Sequence, residues 1–212
     1  MAKLELRSLQ CGYRFPLCNL TMNFCTGDHL LFYGPNGIGK STLLKTLAGL
    51  LPPLEGEVVF QGRNPWRQRA IRQEMFYLSE TIRVPSFLTP MEYVALIADF
   101  YGVRPAPKRL EEGIALLDIG AYRDKPLGKC SQGQKRRVQL LAAYVMQKPL
   151  TLCDDPLIGI DRHRDHILQE FVHALEASSI IILTGREPVE GLRRTALHNA
   201  ENEISPQVWR EK

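Results

Sequence analysis

Short apolar runs alternate with longer amphipathic ones along most of the chain, and the two periods divide it into strands and helices. KLELRS (3–8), LTMNF (20–24), HLLFY (29–33), EVVFQ (57–61), MFYLS (75–79), LTLC (150–153) and IIIL (180–183) are brief, rich in branched and aromatic residues, and bounded by polar or turn-forming residues. That is the signature of β-strands. STLLKTLAGL (41–50), TPMEYVALIADFYG (89–102), KRLEEGIALLDIG (108–120), SQGQKRRVQLLAAYVM (131–146) and RHRDHILQEFVHALEA (162–177) predict helices. The second of these opens on a capping box, with Thr89 at the cap, Pro90 at the first helical position and Glu92 at the third. Val94, Ile97, Ala98 and Tyr101 then recur at helical spacing. Strands separated by helices imply a mainly parallel core sheet with right-handed crossovers. Roughly residues 86–135 form a helical insertion in that alternation, whereas the last two dozen residues are polar and patternless and are left unassigned.

The totals add little to this picture but exclude several classes. A chain of 212 residues, 44% hydrophobic and 24% charged, is enough for one α/β domain with a buried core. Its net charge of +4 is mild. The pairs Arg136-Arg137 and Arg193-Arg194 are too short for a nucleic-acid stripe and are expected to lie on solvated faces. Five cysteines, at 11, 18, 25, 130 and 153, form no CxxC pair, which fits a reducing compartment, and Cys153 is expected in the core. No run approaches the length needed to cross a bilayer, and MAKLELRSL has no apolar signal core. The expectation is a cytoplasmic chain that meets a membrane only through a partner.

Chemistry enters with GPNGIGKS at 34–41, which matches GxxxxGK[ST] between a predicted strand and a predicted helix. Glycines let the backbone curl so that its N–H groups point at phosphates, and the helix N-terminus adds positive potential. Lys40 would reach the outer phosphates and the Ser41 hydroxyl would ligate Mg²⁺. Asn36, Gly37, Gly39, Lys40, Ser41 and Thr42 are the candidate nucleotide contacts. LTLCD supplies the complementary part, an apolar strand delivering Asp154 to the metal. Between them, Ser131 and Gln134 have the spacing of a helix capping box, which needs no function to explain it.

Taken in order, GPNGIGKSTLLKTLAGLL, SQGQKRRV, LTLCDDP and GID resemble the ATP-binding subunits of ABC transporters over nearly the whole chain. The resemblance implies a P-loop NTPase fold of ABC type with an N-terminal antiparallel β element. It implies one ABC domain over 1–212, with a core lobe at 1–85 and 136–212 and a helical subdomain with the signature at 86–135. Two such subunits would pack head to tail as a homodimer or heterodimer, each ATP held between one phosphate loop and the other subunit's signature. Here the signature falls on Ser131, Gly133 and Gln134, with Cys130 and Gln132 departing from the usual Leu and Gly. Tyr13 is placed to stack on adenine, and Asp161 matches a loop aspartate that acts across the dimer. Within the superfamily, SQGQKRRV, GEVVFQG and IILTGREP resemble the haem-export-associated subunit of cytochrome c maturation.

Three positions around the γ-phosphate depart from the family pattern. Glu80 stands where a glutamine contacts metal and water, Asp155 where a glutamate follows the metal aspartate, and Arg186 where a histidine follows the last strand. Asp155 is one methylene shorter than glutamate, and displacing a general base by about 1 Å can cost on the order of a hundredfold in rate. Glu80 adds a charge suited to the metal, and Arg186 can donate bidentately to phosphate. The offsetting charges suggest a Glu80–Arg186 pair. Asp154, Ser41 and Glu80 are thus the candidate metal ligands, and Asp155, Arg186 and Glu80 the candidate catalytic residues. The expected function is an ATP-binding and slowly hydrolysing subunit with Mg²⁺, driving a separate integral membrane subunit that docks near residues 85–101. The alternative is a degenerate subunit that binds ATP and closes a dimer as a regulatory or assembly element. Roughly 90 residues separate Lys40 from Ser131, leaving no room for a second cassette or a long coiled coil, and no nucleic-acid partner is expected.

Overall fold

The computed structural model of the chain describes residues 1–160 and 164–197. Among the described residues, eight strands form two sheets. β1 (Lys3–Gly12), β2 (Pro16–Cys25) and β4 (Glu55–Phe60) make an antiparallel sheet in the order β2-β1-β4. β3 (His29–Tyr33), β5 (Met75–Leu78), β6 (Leu150–Cys153), β7 (Ile180–Gly185) and β8 (Arg194–Ala196) make a parallel sheet in the order β5-β6-β7-β3-β8.

The parallel sheet is apolar on both faces, which is why its strands read as unbroken hydrophobic runs instead of alternating ones. Leu31, Cys153, Ile181 and Leu183 enter one core, while Leu30, Phe32, Leu152 and Ile182 enter the other. The first core is closed by α2 (Pro90–Phe100), α3 (Pro107–Leu116), α4 (Gln132–Met146) and α5 (Arg164–Glu176). The second is closed by α1 (Lys40–Leu47) and the antiparallel sheet. Helix α2 begins on the expected capping box: Thr89 N–H donates to Glu92 Oε2 at 2.8 Å, and Glu92 N–H donates to Thr89 Oγ1 at 3.3 Å. Such a cap stabilises a helix by about 1 kcal/mol.

The structure completes one reading and corrects a second. The C-terminal stretch that the sequence leaves unassigned contributes β8, which pairs with β3 through Leu31–Arg194, Phe32–Thr195 and Tyr33–Ala196. Its three residues carry no apolar run; the burial that fixes it falls on the flanking Leu192 and Leu197. The second concerns Arg136, expected on a solvated face. It is 0% exposed, because α4 lies between the sheet and the helical insertion and is buried almost all round. Asp161 lies outside the described residues.

Strand register gathers the chemistry-bearing residues at one edge of the parallel sheet. Parallel pairing aligns Leu78 with Cys153, Cys153 with Leu183, and Tyr33 with Gly185. The residues just beyond those pairs therefore emerge side by side at the carboxyl ends of neighbouring strands, where ligands of open α/β sheets bind. They are Ser79 and Glu80 after β5, Asp154 and Asp155 after β6, Arg186 after β7, and the glycine-rich loop after β3.

Candidate functional site

The loop after β3 curls as its glycines allow. Gly37 and Gly39 have φ of 83° and 105°, a region costly for side-chain-bearing residues. A Cβ at Gly37 would meet nothing within 4 Å, so that side of the loop is an open cradle. Gly39 is packed instead: a Cβ there would lie 2.9 Å from Leu17 Cδ1. Gly39 also caps α1 without a side-chain bond, leaving first-turn N–H groups as donors for an anion. Lys40 Nζ donates to the carbonyls of Gly34 at 2.7 Å and Pro35 at 2.9 Å, which places the ammonium inside the curl. Burial lowers the Lys40 pKa, while the carboxylates of Asp155, Asp154 and Glu80 oppose that shift.

This loop lines a cavity of about 470 Å³ together with Tyr13, Leu17, Glu80, Asp154 and Asp155. Tyr13 is 65% exposed at the turn between β1 and β2. Asn36, Ser41 and Thr42 line the same space, so the predicted loop contacts and predicted carboxylates are brought together. Ser41 hydroxyl, Asp154 and Glu80 offer oxygen donors only, the set Mg²⁺ prefers. The open cradle and the oxygen donors fit a magnesium nucleotide.

Thr184 fastens the carboxylate end. Its Oγ1 donates to Asp154 Oδ1 at 2.7 Å and accepts from Asp155 N–H at 3.1 Å. Asp154 is thereby held buried with one oxygen engaged. Asp155 adopts a left-handed backbone, φ 44°, which Asp tolerates better than most residues. Its Oδ2 lies 3.4 Å from Arg186 Nε. The pair that forms is thus Asp155–Arg186, and the expected Glu80–Arg186 pair does not form. Both side chains also line a neighbouring cavity of about 310 Å³ bounded by Pro156, Leu157 and Gly185.

Arg136 joins the site although the sequence does not mark it. From α4 its guanidinium donates to the carbonyls of Ser79 at 2.7 Å, Asp155 at 2.6 Å, and Asp154. One buried cation thus ties together the ends of β5 and β6. Burial lowers its pKa, opposed by Cys153, Asp155, Asp154 and Glu80, but a guanidinium stays charged. No local signal could have found it, since RR at a helix start usually faces water.

Ser131, Gly133 and Gln134 are not brought to the phosphate loop. They line a separate cavity of about 300 Å³ with Tyr122, Arg137 and Gly159. Ser131 N–H donates to Gln134 Oε1 at 2.9 Å and Gln134 N–H to Ser131 Oγ at 3.2 Å, so the capping-box reading holds. Gly133 packs so closely on the loop after β6 that a Cβ would lie 2.2 Å from the Gly159 carbonyl oxygen.

A glycine-curled loop that encloses its own lysine, beside two aspartates ending a parallel strand, defines a P-loop nucleotide triphosphatase. Comparison with known proteins narrows that class. The ABC transporter family model matches residues 17–158. The cytochrome c biogenesis ATP-binding export proteins CcmA of Haemophilus influenzae and Tatumella citrea are each 32% identical, over 88% and 87% of this chain and 90% and 89% of their own. A solved ABC transporter ATP-binding protein from Pyrococcus furiosus superposes with TM-score 0.86 at 33% identity, covering 92% of this chain and 98% of its own. A second, an ATP-binding subunit of an ABC transporter, gives 0.81 at 26% identity over 92% and 86%. The chain belongs to the ABC transporter family, and it is an ABC-type ATPase.

Proposed function

We propose that this chain is the ATP-hydrolysing subunit of an exporter whose membrane-spanning part is a separate polypeptide, and that its turnover is slow. The observation that carries the reading is the 470 Å³ cavity in which the phosphate loop, Tyr13 and the carboxylates of Glu80, Asp154 and Asp155 converge. In this reading Tyr13 stacks on adenine, while the loop N–H groups and Lys40 hold the phosphates. Ser41, Asp154 and Glu80 hold Mg²⁺, which when bound neutralises charge on the phosphate oxygens. Asp155 orients and deprotonates the attacking water. Slow turnover follows from Asp155 being short and turned toward Arg186, 3.4 Å away, so that its carboxylate must be released before it can act as a base.

The resemblance to the two CcmA proteins supports export through a partner. Among the described residues no helix is long and apolar enough to cross a membrane. The helical insertion instead exposes Phe87 and Phe100, 77% and 83%, together with Leu96, apolar side chains suited to contact with a membrane subunit at the cytoplasmic surface. The signature residues Ser131, Gly133 and Gln134 would close over the ATP of a second subunit, identical or related.

The test is Mg·ATP turnover of the chain purified with its membrane partner, for the native sequence, Lys40→Ala and Asp155→Asn. The expected result is a slow native rate. Lys40→Ala should lose turnover together with ATP binding, and Asp155→Asn should lose turnover while still binding ATP. An Asp155→Asn chain that turns over at the native rate removes the role given to Asp155. A native chain that binds ATP and never cleaves it replaces an engine with a nucleotide-gated assembly subunit.

A further inference from the structure

In the β1–β2 hairpin, Cys11 and Cys18 are direct cross-strand partners. Directly opposed residues of an antiparallel pair have Cα atoms about 4.5–5.5 Å apart, inside the window of roughly 4.4–6.8 Å that a disulfide requires. Opposed residues also project from the same face of the sheet, and both cysteines enter the core beneath the antiparallel sheet. Each thiol lies close enough to shift the other's ionisation, and the side chain of Thr46 on α1 lies beside Cys11. The other cysteines differ: Cys25 lies opposite Lys3 and is exposed, while Cys130 and Cys153 are buried on α4's approach and on β6. No group of three His, Cys, Asp or Glu side chains is assembled among the described residues, so a dithiol metal site lacks its third ligand.

We propose that Cys11 and Cys18 are an oxidisable dithiol whose conversion to a disulfide weakens ATP binding. The oxidant is a small peroxide, since Cys18 is only 6% exposed and a bulky disulfide donor would not reach it. Cys18 and burial raise the Cys11 pKa, while the neighbouring Cys11 lowers the Cys18 pKa against the opposing effect of burial, so Cys18 is the thiol that ionises first. Its thiolate attacks one peroxide oxygen: an S–O bond forms, the O–O bond breaks, and the departing hydroxide takes a proton. Cys11 sulfur then attacks Cys18 sulfur; the S–S bond forms, the S–O bond breaks, and the leaving hydroxide carries off the Cys11 proton as water. Two thiols lose two electrons and one peroxide becomes two waters.

The consequence for the nucleotide comes from neighbours on both strands. Cys11 is two residues before Tyr13, and Cys18 follows Leu17, whose side chain bears directly on Gly39 of the phosphate loop. Drawing the sulfurs to a bond of about 2.05 Å moves the hairpin against that contact and against Thr46, in the helix that the loop opens. The affinity arm rests on the proposed ATP site; the oxidation arm does not.

The reduced full-length chain is titrated with hydrogen peroxide, its disulfides are mapped by differential alkylation and mass spectrometry, and Mg·ATP affinity is measured before oxidation, after it, and after dithiothreitol. The expected result is a Cys11–Cys18 disulfide formed before Cys130 or Cys153 reacts, with affinity lowered at least threefold and restored by reductant. The Cys18→Ser chain keeps its affinity through the same treatment. Cys11 and Cys18 remaining thiols while Cys25 is fully oxidised overturns the proposal, as does a disulfide that leaves affinity unchanged. Mapping needs no nucleotide, so it decides the thiol pair even if the reduced chain fails to bind ATP.

Discussion

One hydroxyl, donating one hydrogen bond and accepting another, ties the Asp154 carboxylate to the Asp155 backbone. Thr184 Oγ1 donates to Asp154 and accepts from Asp155 N–H, so removing it strands a buried carboxylate oxygen and a backbone donor together. A lost hydrogen bond that leaves a buried group unsatisfied costs about 1–3 kcal/mol. Thr184→Val, which keeps the shape, is expected to lower unfolding free energy by about 2 kcal/mol in denaturant titration. It should also weaken Mg²⁺-dependent ATP binding, with Thr184→Ser restoring both. The backbone of Asp155, φ 44°, bears on the same question. Asp and Asn enter the left-handed region more readily than Glu, which explains why Asp155→Asn is the variant that removes the carboxylate while sparing the turn.

Between elements, Arg136 does what no backbone pairing can, since α4 joins β5 and β6 at the ends where their ladder stops. An ammonium cannot reproduce a planar fork reaching three carbonyls. Arg136→Lys is therefore expected to lower the melting temperature by several degrees and reduce turnover. Arg123→Lys, altering the exposed pair with Glu111, should leave both unchanged; calorimetry and phosphate release distinguish them. At the other edge, His29 fixes the entry to β8: its Nε2 accepts from Arg193 N–H at 3.0 Å and its Nδ1 lies 2.9 Å from Glu176. Burial lowers the His29 pKa, against the pull of Glu176. With the folded value depressed, the unfolded chain takes up the proton first, so stability is whole above pH of about 6.5 and falls as pH drops through it. Melting curves from pH 7.5 to 5.5 should therefore fall more steeply for the native chain than for His29→Gln.

Across the whole molecule, the phosphate loop and the residues Ser131, Gly133 and Gln134 line different cavities, which the proposed function reads as two half-sites. In the proposed dimer each completes the other. Asp155→Asn with Mg·ATP is expected to shift from monomer to dimer in light scattering, whereas Lys40→Ala with the same nucleotide stays monomeric. A shift that occurs equally without nucleotide would separate dimerisation from the ATP site. The exposed Phe87 and Phe100 lie on the helical insertion and line neither cavity; in the proposed function they contact the membrane subunit.

The sequence determined what is local. Glycine spacing dictates the curl before Lys40, a two-sided apolar run dictates a central parallel strand, and Thr89 with Glu92 dictates the start of α2. Each depends on residues within one turn or one strand, and each could be read from the chain. Tertiary structure decided what depends on neighbours distant in sequence. Strand order and register put Thr184 between Asp154 and Asp155 and turned Arg186 toward Asp155 instead of Glu80. Packing of α4 against the sheet buried an arginine whose local pattern marks it for water. Pairing with β3 made a strand of three residues that have no apolar run of their own. Local propensity is summed over a few residues, whereas a buried charge or an edge strand is stabilised by partners tens of residues away.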